Sequence, residues 1–172
     1  MHASLGPFRG SQTTGSMVSH LHPRCPTHFV TATAAPCTSI FKPVWLDARL
    51  PPMGSTPSRT YSSTNLFWQH ERLHRAILRD YAVRLRTYGD ERDVIERETT
   101  TAALSLEASD PEARSEFSRR AFAEAKAAEA RWLEHIEHLP TLHGEGWLHK
   151  RAWKEFNKQA VIPDVTQATA HR

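Results

Sequence analysis

Leu66-Phe67-Trp68-Gln69-His70-Glu71-Arg72-Leu73-His74-Arg75-Ala76-Ile77-Leu78-Arg79-Asp80-Tyr81-Ala82-Val83-Arg84-Leu85-Arg86-Thr87-Tyr88-Gly89 sets the expected fold class. Leu66, His70, Leu73, Ile77, Tyr81, Leu85 and Tyr88 recur at steps of three or four, so they line one face of an α-helix. Thr64 or Asn65 can accept a hydrogen bond from the free amides of the first turn. Arg84 and Arg86 suit the negative end of the helix dipole, and Gly89 offers the left-handed residue that ends a helix.

Outward from this stretch, the downstream sequence stays helical. A second helix is expected to open at Asp90, with Asp93 in its acidic first turn, and to carry Val94, Ile95, Ala102, Leu104 and Leu106. Its middle, Thr99-Thr100-Thr101, loses side-chain freedom in a helix and needs packing to hold it. Asp110-Pro111-Glu112 reads as a cap, a first-turn proline and a dipole partner, opening a third helix that runs to about His138 and stops before Pro140. Its best-populated face is Phe117, Ala121, Ala128, Trp132, Ile136 and Leu139. A glycine-bearing turn, 141–146, then leads to a short basic aromatic helix, Trp147 to Lys158. The expected fold is therefore all-α, an antiparallel bundle or extended hairpin of three helices plus a short fourth, over residues 62–160, with a flexible tail at 161–172.

Upstream the composition changes. Of the 22 Lys/Arg and 19 Asp/Glu in the chain, residues 1–60 hold Arg9, Arg24, Lys42, Arg49 and Arg59 against Asp47 alone, which leaves 17 basic and 18 acidic residues for the remainder. The sequence pI near 9.1 thus comes from the opening third and is no nucleic-acid footprint for the helices. An acid-poor segment with Arg, Ser and Thr resembles a mitochondrial transit peptide, drawn inward by a membrane potential negative on the matrix side. Arg59 lies three residues before the Tyr61–Ser62 bond and completes the likeness to a processing site at Arg59, Tyr61 and Ser62. Residues 1–61 are on this reading a disordered leader, removed together with Cys25 and Cys37, so that the mature chain has no thiol. A disordered tail, or a true start at Met17 or Met53, are the competing explanations. No apolar stretch approaches the roughly 20 residues that span a bilayer.

Four constellations could carry chemistry. His135, His138 and His143 stand at spacings that could bring imidazoles to zinc or copper, yet they sit among solvated glutamates and glycines, so no metal is expected there. Glu71-x-x-His74 is half the ligand set of helical di-iron bundles, and the other half is missing; an ion pair of Glu71 with Arg75 on a solvated face is the plainer reading. Trp147, Lys150, Arg151, Trp153, Lys154 and Phe156 separate a cationic face from an aromatic one, which fits a partner groove, an anionic membrane surface or ribosomal RNA; alternatively the tryptophans close the bundle. Arg72, Arg75, Arg79, Arg84 and Arg86 on the first helix read as a solvated face.

No phosphate-binding loop, no nucleophile elbow and no Cys/His nucleophile pair is found. The expectation is a non-enzymatic mitochondrial protein without a cofactor, on the matrix side of the inner membrane, that binds a larger protein complex. An assembly factor or accessory subunit of a respiratory-chain complex comes first. A mitochondrial ribosomal subunit is the alternative, and a metal-dependent helical enzyme a distant one.

Overall fold

Three short strands precede the first helix. In the computed structural model, which describes residues 12–106, 108–143 and 146–163, β1 (Met17–His20), β2 (Thr27–Val30) and β3 (Lys42–Val44) form an antiparallel sheet in the order β1-β2-β3. Val18 pairs with Phe29 and Phe29 with Pro43, so those three share a sheet face. The described chain is a mixed α/β fold in which helices dominate, and the sheet overturns the expectation of an all-α bundle or hairpin behind a disordered leader. Strands of three or four residues are too short to show a period of two. The surrounding Ser, Thr and Pro imitate the composition of disorder.

The helices follow the sequence more closely. α1 (Leu66–Leu78) is capped by Asn65, whose side-chain oxygen accepts from the Trp68 amide at 3.2 Å. It stops earlier than expected: the chain breaks at Arg79-Asp80 before α2 (Tyr81–Arg86), and Gly89 begins α3 (Gly89–Leu104) rather than ending a helix. α3 runs unbroken through its three threonines, with Thr99 buried and the helix packed on β3 and α4. α4 (Pro111–Glu137) opens as expected, with Asp110 accepting from the Ala113 amide at 2.8 Å, and α5 (Trp147–Gln159) follows. Gly144, Glu145, the tail at 164–172 and the first eleven residues, Arg9 and the start at Met1 included, lie outside the described residues.

Two apolar cores hold this together, and both contain residues from before Ser62. One joins Leu73, Ile77, Ala128, Trp132 and Ile136 of the helices and Tyr88 before α3 to Ile40; the other joins Phe29, Cys25 and Trp45 to Ala103, with Phe117 alongside. Trp45 is anchored by its indole N–H donating to the Thr27 hydroxyl at 2.9 Å. The connection from sheet to α1 is tied down as well. Gly54 has φ +80°, and a Cβ there would meet the Thr64 carbonyl oxygen at 2.1 Å, so the backbone of residues 53–55 lies directly on the start of α1.

Candidate functional site

Where the sheet meets α1 and α4, the structure gathers a buried polar centre. It begins in the loop after β2, in which Ala32 and Ala35 hold left-handed backbone at φ 52° and 45°, a conformation that costs a non-glycine residue energy and persists only when the surroundings enforce it. The enforcing contacts are the Ala35 amide on the Thr13 carbonyl (3.0 Å) and the Thr38 hydroxyl and amide on the Ala35 carbonyl (both 2.8 Å). The single turn of 3₁₀ helix at Pro36–Thr38 then delivers Thr38 and Ser39 to the inside.

There the Thr38 hydroxyl lies 3.2 Å from His70 Nε2, and His70 Nδ1 lies 3.0 Å from Glu129 Oε1, off the line of an ideal hydrogen bond. Ser39 donates to the same Glu129 oxygen at 3.1 Å. Hydroxyl, imidazole and carboxylate in a row have the order of a nucleophile relay, but the protons run the wrong way. Thr38 gives its one proton to the Ala35 carbonyl and has none left for His70 Nε2, and His70 Nδ1 makes no well-formed hydrogen bond to Glu129. A relay needs both of those bonds, from hydroxyl to imidazole and from imidazole to carboxylate. The arrangement is electrostatic in character: Lys42, buried with its ammonium on the Ile40 carbonyl at 2.7 Å, supplies a further positive charge close to Glu129. Burial alone would push the Glu129 carboxyl up; His70, Lys42 and the Ser39 bond outweigh it and hold the group below the usual carboxylate range. Desolvation lowers Lys42 in turn, against the pull of Glu129 and Glu96.

Glu129 also forms part of the lining of a cavity of about 240 Å³ between α1 and α4, whose other lining groups include Gln69, Arg72 and Lys126. Nothing in the sequence singled out Thr38, Ser39, Lys42, His70 or Glu129 as a group. They lie up to 91 residues apart, from Thr38 to Glu129, and no local pattern joins them.

The second feature is the open side of the sheet. The Thr31 amide donates to the Ser16 carbonyl at 3.1 Å, which makes Ser16–Thr31 a hydrogen-bonded pair; by alternation Met17 and Ser19 turn their backbone amides and carbonyls away from β2. No described strand pairs with that edge. Met17, Val18 and Leu21 are exposed there, at 65%, 56% and 78%. Beside them a groove of about 390 Å³ is walled by Val18, Phe29, Phe41 and Leu104.

The residues singled out in the sequence are dispersed. Arg59 is exposed, while Tyr61 and Ser62 are half-buried, with the Tyr61 ring edge-on to Trp68 and its amide on the Ala160 carbonyl at 2.7 Å. His135 and His138 are exposed, and His143 instead approaches Asp80, its ring 3.7 Å from a carboxylate that the His143 and Leu142 amides hold below its usual range. No group of three His, Cys, Asp or Glu able to hold a metal ion occurs among the described residues. Glu71 pairs with Arg75 at 2.8 Å and with His74 at 3.2 Å, but the trio is buried or half-buried under α5 rather than solvated. Burial would raise the Glu71 carboxyl; His74 and Arg75 outweigh that and lower it.

Of the aromatic helix, Trp147, Lys150, Arg151, Lys154 and Phe156 are exposed, whereas Trp153 turns inward against His74 and Arg75. The Trp153→Ala variant is therefore expected to lower the melting temperature, with a loss of about 3 kcal/mol in denaturant unfolding, and Trp147→Ala to leave both unchanged. Arg72 and Arg75 of α1 and Arg79 just after it come together with Asn157 of α5 along one crevice, and Arg84 is not solvated at all but buried, donating to the Ala76 and Leu139 carbonyls.

Comparison with protein-family models, with characterised proteins and with solved structures finds no match to this chain. No described helix is long and apolar enough to cross a membrane.

Proposed function

We propose that the protein is a binding module that joins a larger polypeptide assembly by accepting an extended strand along the free edge of β1. The observation that carries this is the combination of outward-facing backbone groups at Met17 and Ser19 with an apolar groove beside them. Folded proteins normally blunt such an edge with charge, proline or a covering loop, because it templates pairing with any other chain. Here the edge carries Met17, Val18 and Leu21 instead. An added strand would satisfy the backbone groups, and one of its alternate side chains, if apolar, would fill the groove between Val18 and Leu104.

This reading assigns no reaction to the chain. It keeps the accessory subunit or assembly factor drawn from the sequence, and moves the contact from the terminal tryptophans to the sheet. It also proposes that residues before Ser62 stay with the working protein, since Ile40, Lys42 and Trp45 lie in its interior. Any address they carry then acts without removal at Tyr61–Ser62.

Met17→Pro tests the proposal. Its amide points away from β2, so proline removes a donor from the free edge and none from the β1–β2 ladder. On native gradient sedimentation of cell extract the wild-type chain is expected with a large assembly, and Met17→Pro near the top with an unchanged melting temperature. A wild-type chain that sediments alone, or a variant that co-sediments equally, sinks the strand-addition idea.

A further inference from the structure

We propose that the cavity between α1 and α4 binds a free amino acid with an apolar side chain, its ammonium held inside by Glu129 and Gln69 and its carboxylate at the rim by Arg72 and Lys126. The cavity brings the acceptors of Glu129 and Gln69 together, beside the hydroxyl-bearing Tyr61 and Ser63. Glu129 Oε1 accepts from Ser39 and has His70 Nδ1 3.0 Å away, while its second oxygen has no donor among the described residues. Gln69 Nε2 donates to the Ser63 carbonyl at 2.5 Å, which fixes the amide orientation and leaves Oε1 buried with no partner. Two acceptors, one of them ionised, ask for a group with several N–H donors, which an ammonium has.

The rim has the opposite character. Arg72 spends Nη2 on Glu137 at 2.8 Å and keeps its other N–H groups, and Lys126 is exposed with no ion partner among the described residues. Those two cations make a bare metal ion a poor occupant, and Glu129 makes a simple anion a poor one. A zwitterion answers both ends at once. Ala130 and Leu133 supply the apolar wall for a side chain, and about 240 Å³ holds a molecule of that size. The lowered Glu129 carboxyl keeps the inner charge in place at neutral pH.

The test uses the full chain, with calorimetric titration and thermal melting against L-alanine and L-leucine, and against two analogues of leucine that each lack one end, 3-methylbutylamine and 4-methylpentanoate. One of the amino acids is expected to bind and raise the melting temperature, with each analogue of leucine at least roughly tenfold weaker than leucine itself if leucine is the ligand, and alanine's own analogues, ethylamine and propanoate, serving if it is alanine. The Arg72→Gln/Lys126→Gln double variant, altered only at the rim, is expected to melt like the wild type and to lose at least roughly tenfold in amino-acid affinity. Gln69→Leu is expected to weaken binding through the other end. No heat and no thermal shift with either amino acid at about 10 mM overturns the proposal; so does a one-ended analogue that binds as tightly as its parent, or a double variant that binds like the wild type.

Discussion

A chain that starts at Ser62 is expected to lose cooperative folding altogether. Truncation there removes Phe29, Ile40 and Trp45 from two apolar cores, and uncovers Ala103, Phe117 and the β3-facing side of α3 and α4. Deleting even one large buried aromatic typically costs about 3–5 kcal/mol, while a whole domain is held by about 5–15 kcal/mol. Truncation also strands polar groups. Glu129 and His70 lose Ser39, Thr38 and Lys42, Ser118 loses the Pro43 carbonyl it donates to at 2.7 Å, and the buried Arg114 loses Asp47 at 2.5 Å. Circular dichroism should show a full chain melting in one transition and a 62–172 chain with reduced helix and no sigmoidal melt. A truncated chain that melts sharply would return the opening residues to the status of a discarded leader. N-terminal sequencing of the protein recovered from cells is the matching observation in vivo, and a start before Met17 is expected.

How much of this was legible follows from the range of the interactions. Asn65 and Asp110 announce their helices because a cap acts on amides two or three residues away, and the α1 and α4 stripes are visible because helical contacts are local. The break at Arg79-Asp80 was hidden for the opposite reason. Asp80 leaves the helix to bind the Leu142 and His143 amides sixty residues on, and Arg84 turns inward to the Leu139 carbonyl. Gly89 misled because a glycine signals a helix end only where the backbone goes left-handed, and here it starts a helix instead. The sheet was illegible because Thr27–Val30 is four residues long with no alternation in its hydropathy, and its partners are set by pairing across the chain rather than by any local preference. Trp153 was ambiguous in kind: a tryptophan on a basic helix suits both a core and a dock, and His74 and Arg75 beneath it decide for the core. The polar centre was illegible altogether, since Lys42 and Glu129 read singly as ordinary surface charges.

That centre carries the second large effect. Glu129→Gln keeps the size of the side chain and removes its charge, leaving Lys42 and His70 buried around a neutral amide; a loss of about 3–5 kcal/mol in denaturant unfolding is expected. Lys42→Met removes the opposing charge and, because the two residues share one network, the double variant is expected to lose less than the two single losses added together. The acid limb gives an independent reading. The Glu129 and Glu71 carboxyls lie below their ordinary value in the folded chain, so the unfolded chain binds more protons as pH falls. Their contribution is fully present above the unfolded glutamate value near about 4.3 and is lost as pH drops through the lower folded values. Wild-type stability should therefore fall steeply below about pH 4, and Glu129→Gln, already less stable at neutral pH, should fall less steeply because one of those protons is no longer taken up. A Glu129→Gln chain within about 1 kcal/mol of wild type, or one with an identical acid limb, would mean that the carboxylate is not ionised where it sits and that the charge pairing inferred for Lys42 and His70 does not hold.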